Sequence, residues 1–112
     1  MHLGDIVPID FGTPVGSEAG FLRPAIVLTA DAFLRYRPTT IFAVPLTTTP
    51  RRFPSHVQIE PDPANRLDRV SVALVEQLRA VAVQRCGQPL GNIGPLAAHQ
   101  ILDILAMITG MP

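Results

Sequence analysis

The apolar runs of this chain are short, proline or glycine interrupts them repeatedly, and only the last of them follows a helical period. A parallel sheet needs a crossover helix after nearly every strand, so a doubly wound α/β fold is excluded. The expected strands are Leu3 to Phe11, Phe21 to Thr29, Thr39 to Thr47 and Ser55 to Glu60. The second carries consecutive branched residues, and the fourth alternates polar and apolar as a strand with one wet face does. Val70 to Val83 alternates for long enough to make one long bent strand or two successive ones. Pro8 inside the first run predicts an edge position or a bulge, and Asp31 to Arg37, closed by Pro38, predicts a helical turn.

Beyond Gly87, Pro89, Gly91 and Gly94 the period changes. Pro95 sits where a helix accepts its first proline, and Ile101, Ile104, Leu105 and Ile108 then fall on one helical face, with Gly110 as the stop. Several short antiparallel strands and one C-terminal helix predict a mainly β fold. Closure into a small, strongly curved barrel removes exposed strand edges. We expect one domain over residues 1–112, with the barrel over about 1–91 and the helix over about 95–109.

Charge narrows the function classes. Charged residues are 16% of the chain and the net charge is zero, so the basic excess of a typical nucleic-acid binder is missing and any anion site must be a local patch. All nine basic residues are arginine, a residue that forks onto carboxylates and phosphates. The single cysteine, Cys86, has no partner for an intrachain disulfide and no companion for a zinc set, so a cytoplasmic protein without a metal or other cofactor is expected. The N-terminus lacks the pattern of a secretory signal, and the apolar run from Ile101 to Met111 is shorter than the roughly 20 residues that cross a bilayer.

The segment Gly16-Ser17-Glu18-Ala19-Gly20-Phe21-Leu22-Arg23-Pro24 is the most informative. A loop with glycines at both ends runs into an arginine that the following proline biases towards extended geometry. Thr47 ends the third strand as Arg23 begins the second, so antiparallel pairing of the two would bring both side chains to one rim. A guanidinium and a hydroxyl there would suit an anionic transition state. Arg23 equally suits a strand-bridging role, and Thr47 to Thr49 equally suits a strand end built of β-formers. Glu76, Gln77 and Arg79 read as the wet face of a strand, and the pair Arg51-Arg52 as part of a solvated loop. No GxGxxG or Walker loop is present, and the three histidines lack paired metal spacing.

Five stretches together carry a family pattern: Gly4-Asp5-Ile6, Pro14 to Glu18 with Arg23-Pro24, Leu46-Thr47, Ser55-His56-Val57, and Ser71 to Arg79. The chain resembles the MazF/PemK (Kid) toxins of bacterial toxin-antitoxin systems from Leu3 to the C-terminal helix. The resemblance implies an SH3-like barrel with a C-terminal helix, a homodimer, and an endoribonuclease that cuts single-stranded RNA at short motifs without a metal ion. It implies attack of the ribose 2′-hydroxyl on phosphorus, leaving a 2′,3′-cyclic phosphate and a 5′-hydroxyl. It also implies a cognate antitoxin whose acidic, disordered C-terminal segment covers the RNA groove.

By matched position, Arg23 and Thr47 are the expected catalytic pair. Arg23 would hold the phosphate rather than act as base, because a guanidinium in a protein does not give up its proton. Glu18 and His56 are the candidates for proton acceptor on chemistry alone. Ser17, Glu18, Phe21, Leu22, Thr48, His56 and Gln77 are the expected RNA contacts, where exposed bases are stacked or read on their edges. The chain departs from the family pattern at Val7-Pro8, at Phe21-Leu22, where small or polar residues are common, and at Val70. Two other readings compete: a CcdB-type toxin that binds gyrase without catalysis, and an inactive SH3-like binding paralogue.

Overall fold

A computed structural model describes residues 1–50 and 52–111, which leaves Arg51 of the Arg51-Arg52 pair outside the described residues. The strands are β1 (Asp5–Asp10), β2 (Leu22–Val27), β3 (Thr40–Thr47), β4 (His56–Ile59), β5 (Ser71–Leu74), β6 (Arg79–Ala82) and β7 (Gly91–Asn92). The helices are the single turn α1 (Asp31–Leu34) and α2 (Gly94–Ile108). Every pairing is antiparallel, in the order β4-β5-β3-β2-β1-β7 with β6 also on β3. The result is a curled half-barrel with a helix packed across it.

Proline placement explains much of this geometry. Phe11 N–H donates to the Phe21 carbonyl at 2.9 Å, and the alternation of an antiparallel pair then makes Pro8 opposite Pro24 a pair that exchanges no hydrogen bond. Neither missing N–H is needed between β1 and β2. On its other side Pro8 needs only its carbonyl, which accepts from Gly87 N–H at 2.8 Å. The expectation of an edge strand is therefore corrected: β1 lies between β2 and β7, but β7 reaches only Asp5 and Ile6 and ends before Pro8.

Pro45 works the same way on β3. Leu28 N–H donates to the Phe42 carbonyl, so Pro45 opposite Ala25 turns its nitrogen away from β2. It sits where β3 changes partners, from β6 along Thr40–Ala43 to β5 along Leu46–Thr47. Pro24 would have to donate to β3, and the β2–β3 ladder stops one residue short of it, at Ala25 opposite Pro45. The two strands part there, and a cleft opens between their ends.

The sheet is buried on both faces, which accounts for the unbroken Ala25-Ile26-Val27-Leu28 run. One core gathers Ile6, Ile26, Val44, Leu46 and Ala73 under α2, which contributes Ala98 and Ile101. The other gathers Val7, Ile9, Ala25, Val27, Ala43 and Val81, with Leu34 and Cys86 at its margin. Burial pushes the Cys86 thiol up. The α2 face is as the periodicity predicts except that Ile108 is exposed, and the helix ends in a Schellman motif. There Gly110 has φ 76°, Gly110 N–H donates to Met107 and Met111 N–H to Ala106.

Val70 to Val83 resolves into two strands, β5 and β6, separated by the 3-10 turn Val75–Gln77. β7 is two residues long and its sequence carries only breakers, so no period announces it. It nevertheless closes the molecule. Asn92 N–H donates to the Ala64 carbonyl, which joins the turn after β4 to the strand at the opposite end of the sheet. Gly91 is required at this seam, since a Cβ there would stand 2.3 Å from the Asn65 carbonyl oxygen. Buried Asn65 fixes the turn by donating to the Glu60 carbonyl and accepting from the Asp62 and Leu67 N–H groups.

Candidate active site

Continuing the β2–β3 register two residues past its last pair sets Arg23 opposite Thr47. Both line the cleft where the strands part, together with Pro24, Leu46, Thr48 and Ser71, in a volume of about 200 Å³. The half-buried Arg23 donates from Nε to the Gly20 carbonyl at 3.1 Å, which fixes the plane of the guanidinium. Among the described residues its two terminal nitrogens have no hydrogen-bond partner. Thr47 Oγ1 accepts from Thr49 N–H at 3.1 Å and so keeps its own proton free to donate. The expected rim is present, with donors turned to the open cleft.

The loop from Gly12 to Phe21 is tied down at several points. Phe21 N–H donates to the Gly12 carbonyl at 2.6 Å, and Val15 N–H donates to Glu18 Oε1 at 2.9 Å. Gly20 lies against the ring of Pro14, so close that a Cβ would meet it at 2.4 Å. Ala19 is buried with Val72 and Leu74 of β5. Glycine at 20 therefore serves close packing, while Gly12 and Gly16, with φ 74° and 60° and open surroundings, serve turns.

Gln77 ties this loop to the barrel. Its Oε1 accepts from Ala19 N–H at 2.5 Å and its Nε2 donates to the Ser17 carbonyl at 3.1 Å. One N–H and one lone pair remain for any RNA edge. Ser17 and Glu18 are exposed on the same loop. Glu18 faces a second cleft of about 370 Å³, lined also by Ala19, Pro45, Glu76, Gln77 and Arg79. Phe21 and Leu22 are 62% and 71% exposed at the foot of the loop. Phe21 has φ 59°, which for an aromatic residue costs on the order of 1–3 kcal/mol.

His56 stands on β4, outside the residues that line the Arg23–Thr47 cleft. Its side chain is only 9% exposed, Nε2 lies 2.9 Å from Glu76 Oε2, and the ring packs 5.8 Å from that of Phe53. Nδ1 is buried without a partner. Nε2 is engaged by Glu76, so the ring pins β4 to the 3-10 turn. Partial burial opposes the charge on Glu76, but the hydrogen bonds from His56 and from its own backbone outweigh it and hold the carboxyl below its ordinary value.

Three lining residues escape sequence reasoning. Ser71 enters the Arg23–Thr47 cleft because β5 pairs with Thr47 through Val72, one residue away. Pro24 enters as the residue that ends the ladder. Arg79, read as a wet strand face, lies 5.4 Å over the Phe11 ring, donates weakly to the Phe11 carbonyl at 3.5 Å and lines the Glu18 cleft. The run Glu76 to Arg79 was visible as polar, and only the 3-10 turn aims it at the loop. Among the described residues no three of His, Cys, Asp and Glu are grouped to hold a metal ion, and no helix is long and apolar enough to cross a membrane.

Comparison with known proteins agrees with this geometry. The chain is 34% identical to Endoribonuclease MazF of Staphylococcus saprophyticus over 99% of its own length and 92% of the relative's. Its fold matches MazF of Deinococcus radiodurans with a TM-score of 0.83 at 24% identity, covering 99% of this chain and 97% of that one. It also matches a mycobacterial endoribonuclease solved in complex with its cognate antitoxin, with a TM-score of 0.77 at 23% identity over 100% and 97% of the two chains. The model of the PemK-like, MazF-like toxins matches residues 2–109. With the curled sheet, the capping helix and that match along nearly its whole length, the chain belongs to the PemK-like, MazF-like toxin family of type II toxin-antitoxin systems.

Proposed function

We propose that the protein is a toxin endoribonuclease that cuts single-stranded RNA at a short sequence motif. The observation that carries this reading is the Arg23–Thr47 cleft, where a guanidinium fixed through Nε, its terminal nitrogens without a partner among the described residues, shares one cavity with a hydroxyl whose proton is free. Arg23 forks onto two non-bridging oxygens of the scissile phosphate, and Thr47 donates to one of them. Both contacts strengthen as the ribose 2′-oxygen adds to phosphorus and charge accumulates on the phosphorane. The 5′-oxygen then leaves, taking up a proton, and the products are a 2′,3′-cyclic phosphate and a 5′-hydroxyl.

In this reaction Arg23 supplies the positive charge and no metal is used. With His56 folded into the body, Glu18 is the remaining candidate to accept the 2′-hydroxyl proton. Ser17, Thr48 and the free half of the Gln77 amide contact the RNA around the cut. The protein acts in the cytoplasm as a homodimer and is neutralised by an antitoxin whose acidic, disordered segment lies over the RNA groove, paying its ordering cost on binding. The mycobacterial relative solved with its antitoxin supports that partner class. The relative called Endoribonuclease MazF supports the reaction class.

The test is cleavage of a long single-stranded RNA in the presence of chelator, with the new 5′ ends mapped and the ends' chemistry determined. Cuts at a repeated motif that leave 5′-hydroxyls, and that disappear in Arg23→Ala, are the expected result. Unchanged cutting by Arg23→Ala overturns the mechanism, and no cutting by the folded wild-type protein favours a binding-only toxin.

A further inference from the structure

We infer that Phe21 is a stacking platform for one unpaired base of the RNA beside the Arg23–Thr47 cleft. The inference rests on the RNA-cleaving reading and assigns a role to a side chain that the fold leaves exposed. The backbone at Phe21, with φ 59°, is one that glycine adopts freely and an aromatic residue adopts only under strain. It is held there from both sides, by Phe21 N–H on the Gly12 carbonyl and by Phe11 N–H on the Phe21 carbonyl. Glycine would make the same turn with the same two hydrogen bonds.

Burial does not offset the strain, because the ring is 62% exposed. What the phenyl group adds is a flat apolar face held in solvent, two residues or about 6.6 Å of extended chain before Arg23. The terminal nitrogens of Arg23 and the Thr47 hydroxyl call for a phosphate in the cleft. A single ligand that brings a phosphate and a flat aromatic face within that span is a nucleotide. Every base has such a face, so Phe21 contributes affinity and position while polar groups nearby read identity. Leu22, 71% exposed, widens the apolar surface at the foot of the loop.

The experiment uses a short single-stranded RNA spanning the mapped cut, with a 2′-deoxyribose at the attacking position so that it binds without being cut. Phe21→Gly should bind it about 5- to 150-fold more weakly, the loss of one stacked base, while unfolding at the same or a higher temperature. Phe21→Trp should bind as the wild type does. Removing the base from one nucleotide flanking the cut should cost the wild type a similar factor and cost Phe21→Gly nothing further.

Binding by Phe21→Gly within twofold of wild type overturns the platform, as does an equal penalty for base removal in both proteins. A variant that loses affinity only for the antitoxin segment, with RNA binding intact, assigns the ring to that partner and also overturns it. If wild type cuts RNA and Phe21→Gly is unchanged, only the platform fails. If wild type neither binds nor cuts any RNA, the RNA-cleaving reading fails and takes the platform with it.

Discussion

The two sides of the candidate site are built by different means. Arg23 and Thr47 stand at the ends of two paired strands, where register alone sets them opposite each other. Ser17, Glu18 and Phe21 stand on an irregular loop that is held by the Gln77 amide, the Gly20–Pro14 contact and the Glu18 carboxylate. The strand side depends on the cooperative sheet and its two cores, whereas the loop side depends on a few contacts that can be lost singly. Groups that meet developing charge belong on the first kind of support, and groups that select a sequence can vary on the second without unfolding the barrel.

Substitutions can break that division in order of severity. Arg23→Ala should lower RNA cleavage by about 10²–10³-fold with the unfolding temperature unchanged, and Arg23→Lys should recover little because an ammonium lacks the fork. Thr47→Val, which keeps the shape and removes the donor, should cost about 10- to 150-fold in kcat/KM, the range for a hydrogen bond to a charged group. Gln77→Ala should leave the barrel's unfolding temperature within a few degrees, lower cleavage about 3- to 10-fold, and speed hydrogen exchange at the Ala19 amide. If Gln77→Ala instead unfolds the barrel, the loop is part of the cooperative core and the division fails.

The smallest effect concerns acid. The Glu76 carboxyl lies below its ordinary value of 4.5 in the folded protein, so the unfolded chain binds more protons in that range. Its stabilisation is therefore complete above pH 4.5 and is lost as pH falls through the lower, folded value. A side chain one-third exposed contributes under about 1 kcal/mol. Denaturant midpoints followed down the acid range should fall more steeply for wild type than for Glu76→Gln, and identical profiles would show that the His56–Glu76 contact does not stabilise the turn.

The strand side was legible in the sequence and the loop side largely was not, for one physical reason. Arg23 and Thr47 could be paired on paper because apolar runs fix strands, and antiparallel strands fix which ends meet. The Gln77 clamp joins residues 58 and 60 apart through side-chain amide geometry, which has no period to read. His56 alternates correctly within its strand, but its pairing with Glu76, 20 residues on, has no period to announce it. The strained φ at Phe21 is likewise invisible in the sequence, since the sequence offers a phenylalanine where the turn favours glycine.

The seam at β7 ties segments far apart in the sequence to one side chain. Asn92 donates from Nδ2 to the Leu3 carbonyl and to Asp5, accepts from Gly94 at the start of α2, and its backbone holds the turn after β4. Contacts spanning nearly 90 residues carry a high loop-closure cost. Arg23 and Thr47 lie on β2 and β3, and the clasp between β1 and β7 that Asn92 makes stands outside both. Closure of the barrel therefore rests on one asparagine that answers to β1, the turn after β4 and α2 together.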